Sequence, residues 1–241
     1  MKTVLLVASA ASAIAASANA GFLGFTGFSY IASNGNRVID VFAVVSNASD
    51  RLLNVYNTDI TNNAGAAGAT FFTQQAGTAT RGWKPDGGSS TRSNIVDSFM
   101  TIGVNEGTTY EGEYYAAANT SPDGSFTFGW STLGTTVPAN AGWFLTPPTL
   151  PDSLAESLTG MTGTRVNLGP AGQDGALGIW CAHMVMSGST TSCLWGATAA
   201  VKDGVTSLVS TGSVAAGELI PAPGAIALMG LAGFAARRRR A

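Results

Sequence analysis

The chain has 241 residues, of which 45% are hydrophobic and only 11% charged, under half the usual charged share of about 25%. Its formal net charge is −2, and polarity comes instead from Ser, Thr, Asn and 31 Gly. This balance argues against disorder driven by charge repulsion and lacks the basic footprint that nucleic-acid binding needs.

The first twenty residues read as an export signal. Met1-Lys2 is a minimal charged start, an apolar run occupies 4–7, and Ala- and Ser-rich sequence continues to Ala16. Ala18 and Ala20 then place small residues three and one before a cut. A signal peptidase needs them there because its pockets are shallow. The expected mature start is Gly21, after a signal helix within 1–20.

Residues 21–217 form the expected ectodomain. They hold seven basic and thirteen acidic side chains, a net charge of −6, which serves solubility. Strand signals dominate: 37–45, 52–56, 69–73, 98–104, 126–130, 142–145, 165–168, 179–186, 192–201 and 207–211. These runs are short, often β-branched or aromatic, and punctuated by Gly, Pro, Asn and Asp. Residues 61–69, 84–91 and 147–152 read as loops, and 151–158 is the one expected helical turn. Many short strands between turn residues predict an all-β fold, a single β-sandwich or jelly-roll-like domain. Four Asp-Gly pairs, at Asp86, Asp123, Asp174 and Asp203, lack the oxygen density of a calcium loop and read as tight turns.

The chain closes on an uncharged, mostly apolar stretch, 219–236, and then Arg237, Arg238, Arg239, Arg240 and Ala241. A basic cluster after an apolar segment stops transfer. Pro223 can open a helix but not sit deep inside one. A helix over 223–236 is about 21 Å long at about 1.5 Å per residue, against a bilayer core of about 30 Å. It is marginal as a permanent span even with arginine snorkelling.

Pro221-Ala222-Pro223, the short Gly/Ala/Leu helix and the terminal arginines together resemble the PEP-CTERM sorting signal. Ala222 departs from the Glu of that motif. The resemblance implies handling by an exosortase-like membrane protease, at least transient residence in the inner membrane, and a final place on the cell surface or in the extracellular matrix. A plain short tail anchor is the alternative. Segments 40–45, 50–57 and 97–104 are similar to exported domains that often precede such tails, which implies a surface protein and no mechanism.

Residues that would carry chemistry are few. His183 is the only histidine and lies in an apolar run with Cys181, where a structural role is expected. One His and two Cys are too few for a closed zinc site, and no cofactor is expected. Sequence motifs for nucleotide binding, the serine-hydrolase elbow or H-E-x-x-H are absent. Glu111 and Glu113, beside Tyr114, would share one face of a strand. They form either a carbohydrate or hydrolase feature or a charged edge strand that discourages pairing. Of the five tryptophans, Trp83 has polar neighbours and is the one expected on a solvent-facing loop, as a glycan contact. Cys181 and Cys193 flank a turn-like cluster at 187–191. A hairpin centred on Ser187 would oppose them directly and allow a disulfide, with two buried free thiols as the alternative. Two functions follow: a non-enzymatic surface or matrix protein, or a secreted carbohydrate-binding module or polysaccharide-active enzyme that engages extracellular polysaccharide.

Overall fold

The computed structural model describes residues 21–63, 71–72, 75–76, 79–80, 82–85, 90–110, 113–132, 134–147, 153–169, 175–188 and 192–219. The sequence features at Ala18, Ala20, Pro221, Ala222, Pro223 and Arg237–Arg240 lie outside these residues, as does Glu111. No helix among the described residues is long and apolar enough to cross a membrane.

The fold is all-β. Its strands are β1 (Phe22–Ile31), β2 (Arg37–Val45), β3 (Arg51–Asn63), β4 (Gln75–Ala76), β5 (Ala79–Thr80), β6 (Phe99–Met100), β7 (Val104–Tyr110) and β8 (Glu113–Ala116). There follow β9 (Thr120–Pro122), β10 (Trp143–Leu145), β11 (Glu156–Ser157), β12 (Thr164–Leu168), β13 (Leu177–Met186), β14 (Ser192–Lys202) and β15 (Val209–Glu218). One sheet runs β11-β13-β2-β1-β12, with β6 also paired to β13; a second runs β15-β14-β3-β10-β9. All pairings in both are antiparallel. Two further small pairs are β4–β5 and β7–β8.

Alternation sorts the side chains of β2. Ile39, Val41, Ala43 and Val45 point into a core they share with Leu52, Val55, Trp143, Trp195 and Val201 of the second sheet. Val38, Phe42 and Val44 point the other way, into smaller clusters with Phe28, Phe99, Ala116, Leu158 and Val185. The first sheet is therefore covered on both faces, by the second sheet inside and by chain excursions outside. That is why 38–45 is almost continuously apolar; a strand solvated on one face would alternate. β15, at the edge of the second sheet, does alternate between partly buried and exposed positions.

Several sequence expectations are corrected. Residues 126–130 read as a strand, but Thr127–Trp130 form one helical turn, α1. Asp123 fixes its entrance by accepting the Phe126 amide at 3.0 Å and the Thr127 hydroxyl on its carbonyl at 2.9 Å. Of the helical turn expected over 151–158, the described part keeps Ser153 in a 3₁₀ turn, while Glu156–Ser157 form β11 against Gly178 and Leu177. β1 was not among the expected strands. The domain also ends later than residue 217: β15 reaches Glu218, and Leu219 is fully buried in the shared core.

The Cys181–Cys193 hairpin does not form. β13 and β14 are consecutive in sequence but belong to different sheets, with β13 on β2 and β14 on β3 and β15. Both cysteines are free and buried. The Cys181 thiol faces the Val41 carbonyl at 3.2 Å, and that of Cys193 faces the Leu194 carbonyl at 3.6 Å. Burial pushes the Cys193 thiol up to about 12 and that of Cys181 well above its ordinary range.

Candidate functional site

The outer face of the first sheet carries a groove of about 370 Å³. Phe28 and Tyr30 of β1 and Asp40 and Phe42 of β2 supply its floor; Arg92, Glu113 and Tyr114 supply one wall and 160–162 the other. The first wall is built by short-range pairing: Arg92 donates its amide to the Tyr114 carbonyl at 3.3 Å, and Ala116 donates to the Ser90 carbonyl at 2.8 Å. The second wall depends on Gly163. Its φ is +112°, and a Cβ there would lie 2.8 Å from the Ser29 carbonyl oxygen. Only glycine lets the 160–163 turn lie this close to the β1 backbone.

A β-bulge determines which polar groups back the groove. In the β13–β2 register Trp180 opposes Phe42, but Ala182 opposes Val41, so the extra residue Cys181 shifts the alternation. Cys181 and Ala182 both join the shared core, and His183 is carried to the outer face opposite Asp40. Bulges commonly re-aim a side chain in this way. His183 is fully buried. Its Nδ1 lies 2.8 Å from Asp40 Oδ1 and its Nε2 lies 2.7 Å from the Asn94 carbonyl oxygen. The Phe99 ring stacks on it at 4.9 Å. Since a carbonyl only accepts, Nε2 is the donor to Asn94.

Asp40 is only 7% exposed. Its Oδ1 is taken by His183, whereas Oδ2 has no hydrogen-bond partner among the described residues, and the carboxyl forms part of the groove lining. Arg92 is ion-paired with Glu156. Its guanidinium also lies over the rings of Tyr114 at 4.5 Å, Trp180 at 4.7 Å and Phe42 at 5.2 Å, a cation–π arrangement that fixes the wall. Tyr30 donates to the Arg92 carbonyl at 3.3 Å. Burial, then the charges of Asp40 and Glu113, push its hydroxyl up to about 12. Glu113 accepts the Ser93 amide at 2.9 Å.

No family model, curated protein or solved structure matches this chain. What the groove does is therefore read from its own chemistry.

Of the residues singled out in the sequence, Glu113 and Tyr114 meet in the groove, and Tyr114 is 43% exposed. Trp83 is a correction: it is fully buried, wedged against Phe71 and Phe126 in the shared core, and cannot contact a glycan. The other four tryptophans are buried as well, so the groove's stacking surface is Tyr114. Asp40, Arg92 and Tyr30 were missed. One signal was available: Asp40 is the only charge in the apolar run 38–45. The described residues contain no group of three or more His, Cys, Asp or Glu placed to hold a metal ion. Asp123 and Asp203 use their side chains to cap turns: Asp203 Oδ1 accepts the Val205 and Thr206 amides at 2.7 and 2.6 Å.

Proposed function

We propose that this chain is an exported surface or extracellular-matrix protein whose ectodomain, a β-sandwich, holds carbohydrate in the outer-face groove. Export rests on the Ala18/Ala20 signal. Sorting rests on the resemblance of Pro221-Ala222-Pro223 and the terminal arginines to the exosortase-dependent tail, with a signal peptidase and a membrane protease as processing partners. The observation that carries the binding reading is the pairing, in one groove, of a half-exposed Tyr114 ring with a buried Asp40 carboxylate that has a free oxygen. Sugar rings present an apolar face to stack and hydroxyls to donate, and a concave site with a few placed polar groups is how small ligands are recognised. Binding is favoured over turnover because the one histidine has both ring nitrogens committed to Asp40 and Asn94.

The test is equilibrium binding of the purified exported protein to a panel of polysaccharides and oligosaccharides, with Tyr114→Ala as the comparison. Tyr114→Ala should weaken binding about tenfold or more, equivalent to about 1.4 kcal/mol, while stability falls by no more than about 0.5–1 kcal/mol, that of an exposed cation–π contact. A panel with no binder, or a binder indifferent to Tyr114→Ala, refutes the assignment of the groove.

A further inference from the structure

The charges lining the groove do not cancel. Asp40 is hydrogen-bonded through Oδ1 to the fully buried His183. Arg92 is neutralised by Glu156. Glu113 remains; its hydrogen bond comes from the Ser93 amide, and it has no ion pair among the described residues. Among the described residues the groove thus holds one carboxylate more than it pairs, next to a second carboxylate, Asp40, whose Oδ2 has no hydrogen-bond partner among them. An anionic sugar would enter against Glu113, and the one cation near the floor without an ion pair among the described residues, Arg165 over Phe28 at 5.7 Å, already donates to Thr26, Asn167 and the Gly175 carbonyl. A neutral sugar could donate hydroxyls to Asp40 but would leave Glu113 uncompensated as water is expelled, which is costly for a charge. A ligand with one ammonium group satisfies both.

Resting on the carbohydrate reading above, we infer that the groove selects sugars bearing a free amine, of the glucosamine type, with Glu113 as counter-charge, Asp40 Oδ2 as hydroxyl acceptor and Tyr114 as stacking surface. The Tyr30 hydroxyl beside them is raised by burial first and then by the charges of Asp40 and Glu113. Tyr30 stays protonated and donating where the amine is charged.

The experiment measures binding of the exported protein to three matched oligosaccharides at physiological salt: glucosamine, N-acetylglucosamine and glucuronate. The glucosamine oligomer should bind at least about tenfold more tightly than its N-acetylated form, as expected of a charge-assisted hydrogen bond against a neutral one. The glucuronate oligomer should be the weakest. Glu113→Gln retains an acceptor for the Ser93 amide and should bring the ratio of the first two affinities close to one. Glu218→Gln, an exposed carboxylate on β15, should leave the ratio as it is. Equal affinity for the amine and its acetylated form, preference for the uronate, or a Glu218→Gln effect as large as that of Glu113→Gln would each overturn the amine assignment while the carbohydrate reading stands. A lysine oligomer that binds as tightly as the glucosamine oligomer would overturn the sugar assignment. Absence of binding by any sugar removes the carbohydrate reading itself.

Discussion

Replacing Trp83 by alanine separates a core residue from a ligand platform. The side chain has no exposed surface, and a buried tryptophan carries about 150–250 Å². Truncation to a methyl removes roughly 150 Å² of mostly apolar contact, about 4 kcal/mol at about 25–30 cal/mol per Å². The edge contact with Phe71, at 5.5 Å and 71°, adds about 1 kcal/mol. One term opposes these. The Trp83 indole N–H has no hydrogen-bond partner in its buried position, which costs about 1–3 kcal/mol that alanine does not incur. The balance is a loss of about 3 kcal/mol, at the low end of aromatic truncations, or a melting temperature lower by about 6–12 °C for a domain of this size. Trp83→Phe keeps most of the apolar contact and removes the orphan donor, so its loss should stay under about 1.5 kcal/mol. Urea denaturation followed by circular dichroism measures both, alongside glycan binding of the folded protein. If Trp83→Ala leaves the urea midpoint in place and abolishes glycan binding, Trp83 faces ligand and its placement in the core is wrong.

Asp50 is fully buried and accepts the Asn47 amide at 3.0 Å and the Gly204 amide at 3.1 Å, joining two loops. Asp50→Ala orphans both amides and should cost roughly 2–4 kcal/mol, read as a lowered urea midpoint; a loss under about 0.5 kcal/mol would rule out this staple. Gly163→Ala places a Cβ 2.8 Å from the Ser29 carbonyl oxygen at a φ of +112° and should lower both stability and groove affinity; binding at full affinity would show that the wall does not need the close approach. Both cysteines are free and buried, so native protein should resist thiol reagents at pH 8 while unreduced, denatured protein titrates two thiols; none in the denatured state means a disulfide. Cys193 and Tyr30 each rise in the folded state to about 12, from ordinary values of 9.0 and 10.0. Below about pH 9 both states keep these protons; above it the unfolded chain loses them first, so stability falls from pH 9 towards 12. Urea midpoints that stay level between pH 8 and pH 11 would contradict this.

Much of the strand inventory is local and could be read from the chain. Runs such as 37–45, 179–186 and 192–201 are β-branched, aromatic or small, bounded by turn residues, and they fold as β2, β13 and β14 within a residue or two at each end. Asp123-Gly124 and Asp203-Gly204 are turns because an Asp carboxylate caps backbone amides within three residues, which is also a local matter. Short apolar runs are different, because four or five residues fit a strand or a helical turn equally well. That is why 126–130 closed into α1 after the turn that Asp123 holds. Tertiary structure alone decided the rest. Trp83 has polar neighbours in sequence, yet its ring is held by Phe71 and Phe126, one of them more than forty residues away. Cys181 and Cys193 sit on consecutive strands but in different sheets. His183 meets Asp40 through a one-residue bulge at Cys181, and Glu113 comes to line the same groove as Asp40 by pairing of its strand with residues 90–92. Period-two alternation tells which side chains share a face. Which strand lies alongside, and where the alternation slips by one, is set by distant segments closing over a common core.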